Sequence, residues 1–188
     1  MQIRTMPTNP TSDELVFDAR ENLQALEGSL KHVEVVNALD PEVLFAKAPG
    51  VSGWSAGEHA FHLILACDLS FRNAISLVKD SGRLIRDPED RQDDKLAILA
   101  DGNIPRGVAT APRFVQPPKK INLELLQALT REMQDTRGAL AEDVAALEQA
   151  PRAIPHQLLG DLTAREWIRF ARIHTEHHLA ILNEVLHR

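Results

Sequence analysis

Proline placement is the feature that most constrains the fold of this chain. A proline inside a helix removes a backbone hydrogen bond and clashes with the preceding turn. The eleven prolines are at positions 7, 10, 41, 49, 88, 105, 112, 117, 118, 151 and 155. They leave four long proline-free windows, at about residues 12–39, 55–79, 121–149 and 163–187. Each window is long enough to span a small domain as a helix.

The spacing of apolar residues predicts a helix in each window, since they recur every three or four positions. The first window has this spacing at Leu15, Ala19, Leu23, Leu26, Leu30 and Val33, with the polar Asn37 at its end. The third has it at Leu126, Leu129, Met133, Thr136, Leu140, Val144 and Leu147. Because no segment alternates apolar and polar residues, we expect no β-sheet. The prediction is an all-α four-helix bundle, a single domain over residues 1–188, with residues 1–11 as a flexible tail.

Local start signals support these helices. In a capping box, a hydroxyl and a carboxylate three residues apart satisfy the free N–H groups of a helix N-terminus. Three windows begin with this pattern: Thr11 with Glu14, Ser55 with Glu58, and Thr163 with Glu166.

The second linker, residues 80–120, is unusually long for a compact domain, and such segments often carry function. It holds five of the eleven prolines and a charged run from Arg86 to Lys95. We expect a short helix around Gln92–Ala100 within it. Its length allows a crossover along the bundle, so the second and third helices could be parallel. The acidic run lacks the glycine and the terminal glutamate of a calcium loop, and we interpret it as solvated surface.

Composition excludes several classes of protein. The formal net charge is −6 without a basic cluster, which disfavours nucleic-acid binding. No apolar run approaches the ~20 residues of a membrane span, and we see no secretory signal. The single cysteine, Cys67, excludes an internal disulfide and favours a cytoplasmic location. We expect Cys67 to be a buried, unreactive thiol.

Histidines form the most informative pattern. Five of the eight fall in two stretches: His59 and His62, then His174, His177 and His178. On a helical wheel, one face of the fourth helix carries Trp167, Ala171, His174, His178, Ile181 and Val185. In the second helix, His62 shares a face with Leu65, Ala66 and Leu69. Both sets of imidazoles therefore point towards packed apolar neighbours.

Burying imidazoles side by side is costly unless each nitrogen has a partner, and a shared divalent cation supplies one. His62 lies about 10 Å into its helix, and His178 and His174 lie about 14 and 20 Å from the end of theirs. These depths match best if the two helices are antiparallel. We predict a metal site formed by His62, His174 and His178, with open positions for catalysis. The alternative is that they are core histidines bonded to other side chains or water.

Two segments resemble the signatures of a known family. The first is Trp54-Ser-Ala-Gly-Glu58-x-x-x-His62, at the start of the second helix. The second is Gly160-x-Leu162-Thr163-x-x-Glu166-Trp167, followed by His174-Thr-Glu-His177-His178-Leu. Together they resemble the DinB-like (DinB/YfiT-type) superfamily, whose members are described as metalloenzymes.

The resemblance implies a four-helix bundle with an up-down-down-up course and a metal held by His62, His174 and His178. It also implies thiol-dependent transferase or isomerase activity with glutathione, mycothiol or bacillithiol. Many relatives continue after the last ligand with Arg-Gly-Gln, whereas this chain has Leu179, Ala180 and Ile181. A role for that glutamine is therefore not carried over.

The remaining candidates are weaker. Glu58, His59 and His177 are the candidates for a general base; Glu58 is better explained by its capping box and His59 as rim. We interpret Trp167 as core packing and Trp54 as a staple at the helix entrance. The other histidines, His32, His156 and His187, are expected to face solvent.

The functional prediction is a metal-dependent transferase or isomerase that acts with a low-molecular-weight thiol, holding zinc or nickel. The alternatives are a metal-dependent hydrolase in which a bound water is the nucleophile, and a non-enzymatic metal-binding or stress-linked scaffold. The second helix also has a second apolar stripe, at Ile64, Cys67, Phe71 and Val78. Because such a stripe needs a partner, we predict a homodimer; cover by the second linker is the alternative.

Overall fold

A computed structural model describes residues 17–89, 93–107 and 109–187. The side chains of residues 93–95 lie outside this description. In chain order, the described elements are α1 (Ala19–Asn37), α2 (Pro41–Leu44), α3 (Ala56–Val78), α4 (Asp93–Asp101), a 3-10 turn (Arg113–Val115), α5 (Leu123–Ala141), α6 (Val144–Gln149), β1 (Ala153–His156), β2 (Gly160–Thr163) and α7 (Ala164–Leu186). The four long helices α1, α3, α5 and α7 form a bundle, which confirms the predicted fold class.

The helix starts follow local sequence signals. Ser55 and Glu58 form the predicted capping box of α3. At α7, the Glu166 carboxylate accepts from the Thr163 N–H at 2.7 Å and from its hydroxyl at 2.8 Å. Helix α1 begins at Ala19, later than predicted, because the Asp18 side chain caps it by accepting from a backbone N–H. The predicted Thr11–Glu14 box lies outside the described residues.

Side-chain pairs show that α1 and α7 run in the same direction. Near their starts, Arg172 donates to the Asn22 side chain at 3.3 Å. Farther along both helices, the His32 ring lies 3.1 Å from Asn183. Residue numbers rise together from one pair to the next, so the helices are parallel.

Helix α5 runs against α1, and α3 runs against α7. Asn37, at the end of α1, donates to Thr130 near the start of α5 at 3.3 Å. Glu27, in the middle of α1, pairs with Arg137 further along α5 at 3.9 Å. Helices α3 and α7 are antiparallel, because His59 of α3 contacts His178 of α7 and the later His62 contacts the earlier His174. The course is therefore up-down-down-up. Helices α3 and α5 run in the same direction, and the long linker is the crossover between them.

Helix α3 lies at the centre of the bundle, between α5 and α7. The stripe that suggested a dimer interface is inside the monomer, since Ile64, Cys67 and Phe71 are at most 1% exposed. Helices α5 and α7 both pack against α3, and Cys67 contacts Thr175 of α7. Val78, the last member of the stripe, is partly buried. This stripe is therefore largely covered within the chain and is no argument for a homodimer, which stays a prediction. By length and composition α3 could also cross a membrane, contrary to our sequence expectation, but most of it is buried as in any core helix.

The third proline-free window is two helices, which corrects the prediction of one. Helix α5 ends at Ala141 and α6 begins at Val144. The break occurs because the Asp143 side chain accepts from the Ala146 N–H at 3.1 Å and so starts a new helix.

A short β-hairpin precedes α7, and the expectation of no sheet was wrong. Strands β1 and β2 pair antiparallel, with Ala153 opposite Thr163 and His156 opposite Gly160. Each strand has four residues, which is too few for a period-two pattern to stand out. Gly160 has a φ of 77°, a left-handed conformation that favours glycine.

The hairpin also anchors the crossover linker. The backbones of Arg86 and Ala153 exchange two hydrogen bonds, of 3.0 and 2.9 Å. The Arg86 guanidinium donates at 2.8 and 2.5 Å to Asp161, which is fully buried. Beyond this anchor, the short helix predicted around Gln92–Ala100 is present as α4, Asp93–Asp101.

Candidate metal centre

Three histidines from two antiparallel helices meet in the interior of the bundle. His62 is on α3, and His174 and His178 are on α7, one turn apart. One ligand atom from each can be chosen so that all three lie within 4.8 Å of one another. The structure thus brings together the three residues predicted to hold a metal.

Contacts between the rings set the geometry of the cluster. The Nε2 atoms of His62 and His174 are 3.2 Å apart. The ring centroid of His178 lies 4.5 Å from those of both other histidines. His62 is buried, while His174 and His178 are densely surrounded but keep a little accessible surface.

The orientation of His62 is set by the crossover linker. Its Nδ1 lies 2.8 Å from the carbonyl oxygen of Val115 and must donate to it, since a carbonyl only accepts. A neutral imidazole carries one N–H, so its Nε2 keeps a free lone pair towards His174. Ligand histidines are generally oriented through their other nitrogen in this way. Val115 was not predicted as a site residue, because its contribution is a backbone atom.

His178 is held by a second histidine. Its Nδ1 is 3.2 Å from the Nδ1 of His59. The Nε2 of His59 is 2.8 Å from the hydroxyl oxygen of Ser52, to which the Trp54 N–H donates at 3.1 Å. We expected His59 at the surface or rim, but it is only 3% exposed. Its position three residues before His62, and therefore close to the same helix face, was the signal that could have revealed it.

The cluster is electrically neutral around pH 7. Burial lowers the pKa of His62, His174 and His178 from the ordinary histidine value. Burial, with a smaller effect of neighbouring His62, lowers the pKa of His59 to about 4. Neutral imidazoles have the free lone pairs that metal binding requires.

Aromatic rings line the cluster on two sides. Trp54 packs against His59 and His62, with ring centroids 5.3 and 5.1 Å away. Phe170 packs against His174 at 5.2 Å. Trp54 is therefore part of the site wall, which the staple interpretation did not include. Trp167 is 3% exposed and belongs to the core, as predicted.

Two of the weaker candidates play other roles. The Glu58 carboxylate pairs with Lys47 and accepts from the Ser55 N–H at 2.6 Å. Burial alone would raise the pKa of Glu58, but these two partners outweigh it and the pKa is lowered. Cys67 is buried, and burial raises the pKa of its thiol, so it is a packing residue as predicted.

His177 connects the cluster to a surface crevice. Its ring lies 5.0 Å from that of His178 and is half-buried. Burial and the charge of Arg106 lower its pKa. The crevice has a volume of about 450 Å³, between α7 and the segment that follows α4, and its lining includes Gly102, Asn103, Ile104, Arg106 and His177. The linker thus forms one wall of a crevice that is lined by His177 but by none of the three predicted ligands.

His156 packs against α7, so our prediction that it faces solvent was wrong. Its ring packs against Phe170 at 4.5 Å and Trp167 at 5.3 Å. Its Nδ1 accepts from the N–H groups of Leu158 and Leu159, both at 3.2 Å. Burial lowers its pKa to about 4. Hairpin closure folds this ring against α7, which the local sequence does not indicate. The other two, His32 and His187, are exposed as predicted.

The donor set fits a divalent transition metal. Tetrahedral coordination at the usual Zn–N distance of 2.0–2.1 Å separates two nitrogens by about 3.3 Å. The 3.2 Å between the Nε2 atoms of His62 and His174 is close to this value. Three neutral imidazoles could therefore hold zinc or a similar ion.

Comparison with known proteins agrees with this geometry. The sequence model of the DinB superfamily matches residues 30–182, which is most of the chain. The chain belongs to the DinB superfamily. The match includes α3 and nearly all of α7, so all three histidines of this DinB-superfamily chain lie within it.

One solved structure has a fold similar to that of this chain. The crystal structure described as TT2238, a four-helix bundle protein, is 25% identical, with a TM-score of 0.53. The alignment covers 87% of this chain and 96% of that one. A comparison with curated proteins finds no significant match.

Proposed function

We propose that this chain is a metal-dependent enzyme that acts on a low-molecular-weight thiol, as a transferase or isomerase, with a divalent cation held by His62, His174 and His178. The observation that carries the proposal is the incomplete ligand set. Among the described residues, no carboxylate or thiolate joins the three imidazoles. Catalytic zinc sites typically have three protein ligands, whereas structural sites have four.

The choice of a thiol follows the family resemblance, and this choice is compatible with the chemistry of a divalent cation. When bound, it acts as a Lewis acid and lowers the pKa of a thiol beside it, which favours the reactive thiolate. The chain itself contributes orientation and an apolar wall: the Val115 carbonyl orients His62, and Trp54 and Phe170 pack beside the histidines. These rings limit water access and suit an organic substituent.

His177 is the candidate general base in this proposal. It borders the crevice, and its lowered pKa leaves it neutral and able to accept a proton near pH 7. Glu58 is occupied by its ion pair with Lys47 and its helix cap. Homodimerisation and a cytoplasmic location stay predictions from the sequence.

Metal content tests the ligand assignment. Protein purified without a histidine tag is expected to contain stoichiometric zinc or nickel by mass spectrometry. His174→Ala should lose the metal, and His32→Ala, which removes an exposed histidine, should keep it. Metal-free wild type that also fails to bind added zinc or nickel would refute the assignment.

A thiol panel then tests the reaction. Metal-loaded protein is incubated with glutathione, mycothiol or bacillithiol and electrophilic acceptors, with His178→Ala as the inactive control. We expect metal-dependent turnover and a thiol-induced rise in melting temperature. Turnover without thiol would favour the hydrolase instead. Metal binding with neither turnover nor a thiol-induced shift would favour the non-enzymatic scaffold.

A further inference from the structure

Beyond the three proposed ligands, the fold places a hydrogen-bonded chain behind one of them. The chain runs from the His178 Nδ1 to the two ring nitrogens of His59 and then to the Ser52 hydroxyl. Its last member is fixed by the Trp54 N–H, which donates to Ser52. The contacts connect α7, α3 and the loop before α3, so they are tertiary contacts and not features of one helix.

We infer that His59 is a positioning residue that, with Ser52, holds the His178 ring so that its Nε2 faces the cation. This inference rests on the proposed metal site. The Nδ1 of His178 is directed at His59, so its Nε2 is the nitrogen left for the cation. His62 shows the same arrangement, since its Nδ1 bonds to Val115 and its Nε2 points into the cluster.

The hydrogen count is consistent with this role. With Nε2 of His178 unprotonated, its single N–H is on Nδ1 and donates to the Nδ1 of His59. His59 then carries its own proton on Nε2 and donates to the Ser52 oxygen, which also accepts from Trp54. Every nitrogen of the pair has a partner in this arrangement. Without an acceptor at position 59, the Nδ1–H of His178 would be left unsatisfied in a largely buried place, at a cost in free energy.

The arrangement also explains why a histidine occupies this buried position. His59 is 3% exposed and sits against the Trp54 ring, and its ring nitrogens contact His178 and Ser52. A leucine would fill the same helix position without a desolvated imidazole. Residues that orient a metal ligand typically contribute about 10–100-fold to metal affinity.

Three variants test the inference by metal affinity, measured by competition with a chelator. His59→Leu removes the acceptor but keeps an apolar side chain, and we expect about 10–100-fold weaker zinc binding. His59→Asn restores an acceptor oxygen near the position of the Nδ1 and should recover most of the loss. Ser52→Ala removes only the hydroxyl at the far end of the hydrogen-bonded series and should lower zinc affinity by less than about tenfold. Melting temperatures of the metal-free proteins identify variants that do not fold. If His59→Leu does not fold, the zinc affinity of Ser52→Ala and the NMR position of the His178 proton test the role instead, and unchanged affinity in Ser52→Ala with the proton on Nε2 would refute it.

Two spectroscopic readouts separate positioning from ligation. In zinc-loaded wild type, a long-range proton–nitrogen NMR spectrum should show the His178 proton on Nδ1. Cobalt-loaded His59→Asn should keep the wild-type visible absorption, because the coordination number is unchanged. A proton on Nε2, or an altered coordination number in His59→Asn, would overturn the positioning role.

The affinities separate this inference from the proposed function. Wild type that binds no zinc, nickel or cobalt refutes both. Wild-type metal binding together with unchanged affinity in His59→Leu refutes only the role of His59. Equal losses in His59→Leu and His59→Asn also refute it, since an acceptor would then not restore binding.

Discussion

Replacing His156 by asparagine should make the protein less sensitive to acid. The imidazole is packed between Phe170 and Trp167, and its Nδ1 accepts from two backbone N–H groups of the hairpin turn. Protonation of Nδ1 would place its N–H against two other N–H groups and remove the acceptor that they need. The folded protein therefore favours the neutral ring. Asparagine Oδ1 can accept from the same N–H groups and does not titrate in this range.

The size of the effect follows from the pKa. Burial lowers the pKa of His156 to about 4, whereas an unfolded histidine titrates near pH 6.5. Because the folded pKa is the lower one, the unfolded state binds the proton first as the pH falls. The contribution to stability is therefore complete above about pH 6.5 and is lost between about pH 6.5 and 4. The loss is about 2 kcal/mol at pH 5 and about 3 kcal/mol in full.

Urea denaturation of metal-free wild type and His156→Asn at several pH values measures this directly. At pH 7 the variant should be less stable by about 1 kcal/mol, since it loses ring packing. Between pH 7 and pH 5, the free energy of unfolding of the wild type should fall by about 2 kcal/mol more than that of the variant. The other histidines are present in both proteins, so their titration cancels in the difference except for the small effect of the His156 charge on His174. A difference that does not change with pH, or an NMR midpoint for His156 near 6.5, would refute the reasoning.

Three further predictions concern stability and assembly. Gly28→Ala and Gly138→Ala place a methyl group on exposed helix surface with nothing within 4 Å, and each should raise the free energy of unfolding by about 0.5–1 kcal/mol; a lower urea midpoint would contradict this. Arg86→Gln removes the half-exposed guanidinium beside the fully buried Asp161 carboxylate and should lower the free energy of unfolding by about 1–3 kcal/mol, so an unchanged melting temperature would count against a stabilising ion pair. Light scattering at micromolar concentration should give a dimer mass if the sequence prediction of a homodimer holds, and a monomer mass would end it.

Local physics explains what the sequence alone determined. Helix position depends on residues three or four apart and on prolines, so α3 and α7 could be predicted within a few residues, whereas α1 begins later and α5 ends earlier than predicted. The capping boxes at Ser55 and Thr163 were recognised for the same reason. Helical periodicity also placed His62, His174 and His178 on inward faces, and their depths matched better with α3 and α7 antiparallel than with the two helices parallel.

Contacts between residues far apart in the sequence became visible only in the tertiary structure. The Val115 carbonyl that orients His62 is 53 residues away from it, and His59 meets His178 across 119 residues. His156 packs against Trp167 because the hairpin closes against α7, and the second apolar stripe of α3 is largely covered by other helices of the same chain. These contacts depend on how the helices and the crossover linker pack, and a helical wheel contains no information about which distant segment will cover a given face. Helix faces were therefore predictable from sequence, whereas the groups that orient and wall the histidines were not.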